Sequence, residues 1–151
     1  MKNTNIQAVI FSDNEHHRNP AVRYYTNHPS DAIFIITKNG KSVLDSAIAN
    51  YMLMADGEGG AEVYSIATKR DQAKIVWEES KKMIKKSPAL SKRTRCLIGG
   101  IYFDKTDSYF RALASDSNSL DGLNTYLGIA DEVHAWRDKN LLDVIYDSMS
   151  A

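Results

Sequence analysis

Short apolar runs and longer stretches of helical periodicity follow one another along this chain. Apolar, β-branched and aromatic runs predict buried strands at residues 32–36, 62–67 and 126–130. Apolar residues that recur at helical spacing predict helices at residues 41–55, 71–86 and 140–149. A hairpin is predicted from residues 95–103 and 109–114 around the polar turn 104–107. The order strand, helix, strand, helix, hairpin, strand, helix predicts an α/β domain with a mainly parallel sheet flanked by helices.

The amino-terminal part of the chain carries a weaker pattern. Residues 6–11 have the composition of a short strand, whereas residues 12–31 are rich in Asp, Asn, His, Arg and Pro and predict a loop. We therefore expect a poorly defined segment over residues 1–31 and a single domain over residues 32–151.

Charge narrows the classes of partner. The chain has 151 residues and a formal net charge of +0, so no overall basic field draws it to nucleic acid. A local patch of cations lies near the middle of the chain and comprises Lys81, Lys82, Lys85, Lys86, Lys92, Arg93 and Arg95. This patch is either a nucleic-acid contact or a solvated helix face. The second reading is favoured because Glu78 and Glu79 precede Lys82 at helical spacing.

The single cysteine and the absence of long apolar stretches indicate the cellular compartment in which the protein is expected. Cys96 has no cysteine to pair with, which indicates a reducing environment, and its apolar neighbours suggest a small hydrophobic residue rather than a nucleophile. No stretch of sequence is apolar for long enough to cross a membrane, and the first residues lack the layout of a signal peptide. We expect a cytoplasmic protein with no membrane contact.

The turn between strand 32–36 and helix 41–55 has the residues of a phosphate-binding loop. Gly40 would let backbone N–H groups approach phosphates, and the positive end of the following helix would add its partial charge. Lys41 would reach the β- and γ-phosphates, and the Ser42 hydroxyl would ligate Mg²⁺. The standard spacing would place another glycine at position 35, where this chain has Ile35. A surface turn of the same composition is the alternative, but the flanking strand and helix favour the loop.

Two acidic residues follow the buried strand 126–130. An aspartate at the carboxyl end of a parallel strand beside a phosphate loop, here Asp131, can hold Mg²⁺ through water. The adjacent Glu132 can orient or deprotonate an attacking water. Two carboxylates at a strand end are common, but together with the loop at Gly40 they favour nucleotide hydrolysis.

Five segments of the chain resemble the large terminase subunit of tailed bacteriophages, and they occur in the order found in that family. They are Lys38-Asn39-Gly40-Lys41-Ser42 and the segments at 55–58, 62–73, 115–124 and 131–135. The resemblance covers roughly residues 32–151. It implies a P-loop NTPase-type fold and a partial ATPase domain that is incomplete at its carboxyl end. The family's nuclease domain would be absent.

The resemblance also implies an activity and partners. It implies an ATPase motor that drives double-stranded DNA into a preformed capsid, working as a homo-oligomeric ring on the portal protein with a small terminase subunit, in the cytoplasm of the bacterial host. ATP and Mg²⁺ would be the cofactors. Lys38, Asn39, Gly40, Lys41 and Ser42 would bind the nucleotide. Ser42 and Asp131 would hold the metal, and Glu132 would be catalytic.

Some features of the chain depart from the family pattern. Thr37 stands where the family commonly has an arginine, which removes a cation near the γ-phosphate. The sequence given ends one predicted helix after Glu132. We therefore expect weak or absent turnover by the isolated chain, and self-association through an exposed sheet edge.

Other functions are weighed against the motor domain. The first is a non-catalytic remnant or assembly module that keeps the fold. The second is an unrelated P-loop enzyme such as a small kinase, for which the sequence offers neither an acceptor site nor a lid. The third is a metal site at His16, His17 and His28, which lack cysteine or paired acidic ligands at suitable spacing.

Overall fold

The computed structural model describes residues 8–12, 32–35, 40–114, 122–131, 136 and 140–149, which form seven strands and four helices. The strands are β1 (Ala8–Ser12), β2 (Ala32–Ile35), β3 (Glu62–Ala67), β4 (Arg95–Cys96), β5 (Ile101–Phe103), β6 (Ser108–Ala114) and β7 (Thr125–Asp131). The helices are α1 (Lys41–Met54), α2 (Arg70–Lys86), α3 (Pro88–Ser91) and α4 (Asn140–Met149). The predicted helices are present, and so are the predicted strands apart from the continuous one over 95–103; β1 overlaps the short strand predicted at residues 6–11.

The strands form one sheet in the order β2-β1-β7-β3-β6-β5-β4. The first five in this order run parallel, and β5 and β4 extend the sheet antiparallel. Because parallel strands end at a shared edge, the segments that follow β2, β3 and β7 begin at the same edge of the sheet. The predicted α/β fold with a mainly parallel sheet is confirmed.

The two faces of the sheet are covered by different helices. The main core packs one face against α1 and α2, and its fully buried members include Ala49, Leu53, Val63, Val76, Ile84, Phe110, Leu127 and Ile129. On the other face, the Ile145 side chain of α4 lies against Gly128 and Ile66. Since successive strand residues point to opposite faces, Ile129 meets the α1–α2 layer and Gly128 meets α4.

The ends of α2 follow from local chemistry. Asp71 lies in its first turn, and Lys85 and Lys86 lie in its last turn, where each charge complements the helix dipole. Ser87 adopts an extended conformation with φ −104° and ψ 109° because it precedes Pro88, which disfavours the helical region for that residue. The predicted helix end at this point is confirmed.

One predicted strand is divided in the structure. The sequence indicated a continuous strand over 95–103, but β4 ends at Cys96 and β5 begins at Ile101. The Leu97 N–H donates to the Gly100 carbonyl at 2.9 Å, which closes a tight turn between the two strands. The prediction was wrong because Gly99 and Gly100 permit a turn inside an otherwise apolar run. The predicted hairpin around 104–107 is confirmed as β5 and β6.

The close packing of α4 on the sheet is tested by Gly128→Ala. A Cβ at this position would lie 2.9 Å from Ile145 Cγ2 and 3.2 Å from Ile66 Cδ1. We expect the free energy of unfolding, measured by urea denaturation, to fall by about 1–3 kcal/mol. The control is Gly59→Ala, where a Cβ would meet no heavy atom within 4 Å. It should change stability by less than about 0.5 kcal/mol. Equal effects of the two substitutions would contradict this packing.

Candidate functional site

The start of α1 offers backbone groups that can bind an anion. Gly40 has φ +83°, in the left-handed region that strains other residues, and α1 begins at the next residue. Within the described residues no side chain caps α1, and its first turn holds no acidic residue. The first N–H groups of the helix therefore retain their capacity to bind an anion, which the helix dipole also favours.

A Cβ built on Gly40 would meet no heavy atom of the described residues within 4 Å, so it is the positive φ and not crowding that favours glycine here. Lys38 and Asn39, also predicted to bind the nucleotide, lie outside the described residues. Their roles stay predictions.

Two predicted halves of the site meet at the edge of the sheet. The Lys41 ammonium lies 3.5 Å from Asp131 Oδ1, although 90 positions separate the two residues in the sequence. Both side chains are largely buried, with 14% and 13% of their surface exposed. The structure therefore places a cation from the start of α1 against a carboxylate at the end of β7.

The position of Asp131 is fixed from both sides. It is the last residue of β7, a strand paired on one side with β1 and on the other with β3. The buried indole of Trp136 donates its Nε1–H to the Asp131 carbonyl at 3.1 Å. Glu132, the predicted catalytic residue, lies outside the described residues, and its role stays a prediction.

The half-buried Ser42 is tied to the neighbouring helix through the next turn of α1. The Ser46 hydroxyl makes a short hydrogen bond to the Ser42 carbonyl and also lies 2.8 Å from the Val76 carbonyl of α2. A hydroxyl carries one hydrogen, so Ser46 shares it between the two helices. The backbone of the predicted phosphate loop is thereby held against α2.

Further polar contacts continue between α1 and α2. The Ser80 hydroxyl donates to the Ser46 carbonyl at 3.2 Å, and the Asn50 amide donates to the Ser80 carbonyl at 3.4 Å. Ser46 and Ser80 are fully buried, so the hydrogen bonds are shielded from water. We call this set, Ser46, Asn50, Val76 and Ser80, the α1–α2 seam. It fixes the helix that begins at Lys41 relative to the sheet.

Together these groups suit a phosphorylated ligand with a cation. The N–H groups at the start of α1 and the Lys41 ammonium are donors for phosphate oxygens. Asp131 supplies the carboxylate oxygen, and Ser42 the hydroxyl oxygen, that hard divalent cations prefer. Phosphate donors and cation ligands therefore lie side by side.

Comparison with protein families identifies the domain. A family model described as "Terminase large subunit, ATPase domain" matches residues 17–151. The chain belongs to this family. The matched residues include Gly40, Lys41, Ser42 and Asp131, so the candidate site lies within the terminase ATPase domain.

A solved structure supports the fold of this terminase domain. The chain is similar to the crystal structure of the HK97 bacteriophage large terminase, with a TM-score of 0.71 and 21% sequence identity. The similarity covers 95% of this chain and 27% of the HK97 protein, so the chain spans about a quarter of that terminase. Among curated proteins no match was found.

One of the remaining candidate features, the histidine site, is not tested by the structure. His16, His17 and His28 lie outside the described residues. In the described part of the chain, no group of three or more His, Cys, Asp or Glu side chains is arranged to hold a metal ion. The helices of that part are all too short or too polar to span a bilayer.

Sequence reasoning missed the α1–α2 seam. The periodicity predicts α2, but nothing in the one-dimensional pattern names a hydrogen-bond partner for Ser80. A usable signal is the presence of the polar residues Ser46 and Asn50 at helical spacing among the apolar positions of α1. Such residues inside a buried helix face need partners, and here the partners come from a second helix.

The seam is tested by the double variant Ser46→Ala and Ser80→Ala. It removes buried hydroxyl hydrogen bonds between the helices, so the free energy of unfolding should fall by about 1–3 kcal/mol in urea denaturation. The control Ser91→Ala removes a hydroxyl bond to the Pro88 carbonyl on the exposed α3. Its effect should stay below about 0.5 kcal/mol. A double variant as stable as the control would show that the seam does not hold the helices together.

Proposed function

We propose that this chain binds and hydrolyses ATP with Mg²⁺, as the motor domain of a large terminase subunit that packages viral DNA. The observation that carries the proposal is the 3.5 Å approach of the Lys41 ammonium to the Asp131 carboxylate. In a P-loop enzyme, the phosphate lysine and the magnesium aspartate act on the same nucleotide and must lie side by side. Membership of the terminase ATPase family supports the same activity.

The triphosphate would lie against the start of α1. Backbone N–H groups from Gly40 onward would donate to the phosphate oxygens, and Lys41 would neutralise the β- and γ-phosphates. Lys38 and Asn39 would complete the loop. The positive φ of Gly40, at the residue before α1, supports this arrangement.

Ser42 and Asp131 are the residues that would hold Mg²⁺. Their fit rests on the oxygen donors that they supply, a carboxylate at the end of β7 and a hydroxyl in the first turn of α1. When bound, Mg²⁺ would neutralise charge that develops on the phosphates. Asp131 would keep its orientation through the end of β7 and the Trp136 hydrogen bond.

Glu132 would act on the attacking water. Glu132 follows Asp131, the last residue of β7, directly in the sequence. We propose that its carboxylate orients the water and accepts its proton as the water oxygen bonds to the γ-phosphorus, while the bond to the β-phosphate oxygen breaks and ADP leaves.

The partners follow from the proposed motor role. Double-stranded DNA, a portal protein, a small terminase subunit and further copies of this chain in a ring are proposed partners, in the cytoplasm of a bacterial host. Family membership supports a place in the packaging machinery, and the chain spans 27% of the HK97 terminase to which it is similar.

Turnover of ATP by the purified chain with Mg²⁺ tests the proposal. We expect Lys41→Ala to abolish nucleotide binding and Glu132→Gln to preserve binding while lowering turnover by about 10²–10⁴-fold. Lys82→Ala is the matched control, because this exposed lysine pairs with Glu79 on the surface of α2. Binding that depends on Lys41 without any turnover would favour the alternative of a non-catalytic assembly module. No binding by the wild-type chain would contradict the proposal.

The role of Asp131 predicts a changed metal requirement. Asp131→Asn should raise the Mg²⁺ concentration for half-maximal turnover by about 10–100-fold, because a carboxylate that holds the metal through water is lost. Asp104→Asn is the control, since Asp104 is an exposed carboxylate paired with Arg95. An unchanged Mg²⁺ requirement in Asp131→Asn would remove this residue from the metal site.

A further inference from the structure

The solvent-facing side of α1 is apolar. Val43, Leu44 and Tyr51 are 50%, 45% and 56% exposed, and Ala47 is exposed as well. At about 100° per residue the four side chains fall within about 100° of one another around the helix and extend over about 12 Å. We call Val43, Leu44, Ala47 and Tyr51 the α1 stripe.

The polarity of α1 is the reverse of that of an ordinary surface helix, which keeps its polar residues toward water. Its two charged residues lie inward, since Lys41 is largely buried and Asp45 is fully buried. The buried Ser46 and Asn50 contact α2. A helix with polar residues inside and a contiguous apolar stripe outside offers that stripe to a partner.

The carboxyl end of α1 is negative. Asp56 and Glu58 lie two and four residues after Met54, and the last turn of the helix holds no basic residue. Asp56 accepts a hydrogen bond from the Tyr126 hydroxyl, a neutral donor that leaves the carboxylate charge in place. The helix dipole adds partial negative charge at the same end. The α1 stripe, which reaches Tyr51 in the last turn, therefore ends beside acidic groups.

A second surface without a described partner lies on the other face of the sheet. Ile101 and Phe110 belong to the main core, so Tyr102, Tyr109 and Arg111 point to the opposite face. The two tyrosines are half-buried and pair across β5 and β6, and Arg111 is exposed. The described helix on this face, α4, packs on β7, two strands away from β6. We call Tyr102, Tyr109 and Arg111 the tyrosine–arginine face.

Aromatic rings hold the Arg111 side chain in place. Its Cζ atom lies 4.4 Å from the centroid of the Tyr109 ring and 5.7 Å from that of Tyr102. Its Nη2 donates to the Tyr102 hydroxyl at 3.3 Å. Because these contacts already restrict the side chain, less conformational entropy is lost when its guanidinium binds a partner.

The guanidinium of Arg111 pairs with no carboxylate among the described residues. Arg95, which contacts the same Tyr102 ring, is paired with Asp104 at 2.6 Å. Glu62, at the inner side of this face, accepts hydrogen bonds from a tyrosine hydroxyl and a backbone N–H. Tyrosine and arginine are the residue types that contribute most at protein interfaces. The face therefore combines aromatic area with one unpaired cation.

We propose that the α1 stripe of one copy of this chain packs on the tyrosine–arginine face of the next copy. The apolar side chains of the stripe would cover the rings of Tyr102 and Tyr109, and the acidic end of α1 would lie beside Arg111. The inference rests on the ring of copies in the proposed motor and names the surfaces through which that ring would form.

The positions of the two surfaces select a second copy as the occupant. They lie on opposite faces of the sheet, so they cannot meet within one molecule. Head-to-tail contacts between copies use two different surfaces of each subunit and generate a ring when the rotation closes. An acidic end on one surface and an unpaired arginine on the other supply the charge complementarity that orients such a contact. A partner of another kind would leave one of the two surfaces uncovered.

Sedimentation velocity of the purified chain tests this interface. The stripe variant carries Ala47→Lys and Tyr51→Lys, and the face variant carries Tyr102→Ser and Arg111→Glu. We expect the wild-type chain to self-associate as its concentration rises, and each variant to weaken that association by about tenfold or more. Thermal melting establishes that both variants remain folded.

The matched controls are Ile75→Lys and Arg93→Glu. Ile75 is a 49% exposed apolar residue of α2 outside the stripe, and Arg93 is an exposed arginine outside the face. Both controls should associate like the wild-type chain. ATP binding is measured on the same samples, and both interface variants should retain it.

An equimolar mixture of the stripe and face variants gives the sharpest test. Each variant keeps one intact surface, so the mixture should form a dimer through one stripe and one face, and no larger species. A stripe that packs on a second stripe would leave the face variant associating like the wild-type chain. A face that packs on a second face would do the same for the stripe variant. Either result, or a mixture that stays monomeric, would contradict head-to-tail packing.

Other outcomes would also overturn the proposal. Association that both variants retain would place the contact elsewhere, as at the sheet edge expected from the sequence. A wild-type chain that binds ATP but stays monomeric at its highest soluble concentration would contradict this interface and leave the proposed activity intact. A chain that associates as described but binds no ATP would contradict the proposed activity and leave the interface intact.

Discussion

The contact between the Lys41 ammonium and the Asp131 carboxylate is the interaction on which the candidate site depends. It joins the start of α1 to the end of β7 across 90 positions of sequence, and both side chains are largely buried. A largely buried charge without its partner is costly, so the two elements are constrained to meet. Every proposed role in nucleotide chemistry follows from this one juxtaposition.

The rest of the fold maintains that contact. On the β7 side, pairing with β1 and β3 and the Trp136 hydrogen bond fix the strand end. On the α1 side, Ser46 links the Ser42 carbonyl to α2, and α2 is itself packed on β3. The sheet and the α1–α2 seam thus hold Lys41 and Asp131 at this distance.

Much of this fold could be predicted because its periodic signals are strong. The bounds of β3 and α4 agree with the predicted ones, and α1 and α2 differ by a residue at one end. The break between β4 and β5 could not be predicted, since an apolar run hides the turn that Gly99 and Gly100 allow. The order of the strands in the sheet could not be predicted either, because it depends on contacts between residues far apart in sequence.

The candidate site could likewise be predicted only in part. Gly40, Lys41 and Asp131 could be predicted as candidates because phosphate and metal chemistry require those residue types next to a strand and a helix. The seam could not, because it is defined by the contact of α1 with a second helix. The lysines of α2 were interpreted as a solvated face, which agrees with the exposed pair of Lys82 and Glu79.

A crystal structure of the chain with a non-hydrolysable ATP analogue and Mg²⁺ tests the central claim most directly. The account predicts phosphates against the N–H groups at the start of α1, with Lys41 on the β- and γ-phosphates. It also predicts the metal between Ser42 and Asp131. A nucleotide bound elsewhere, or phosphates that leave Lys41 and Asp131 without a role, would contradict it.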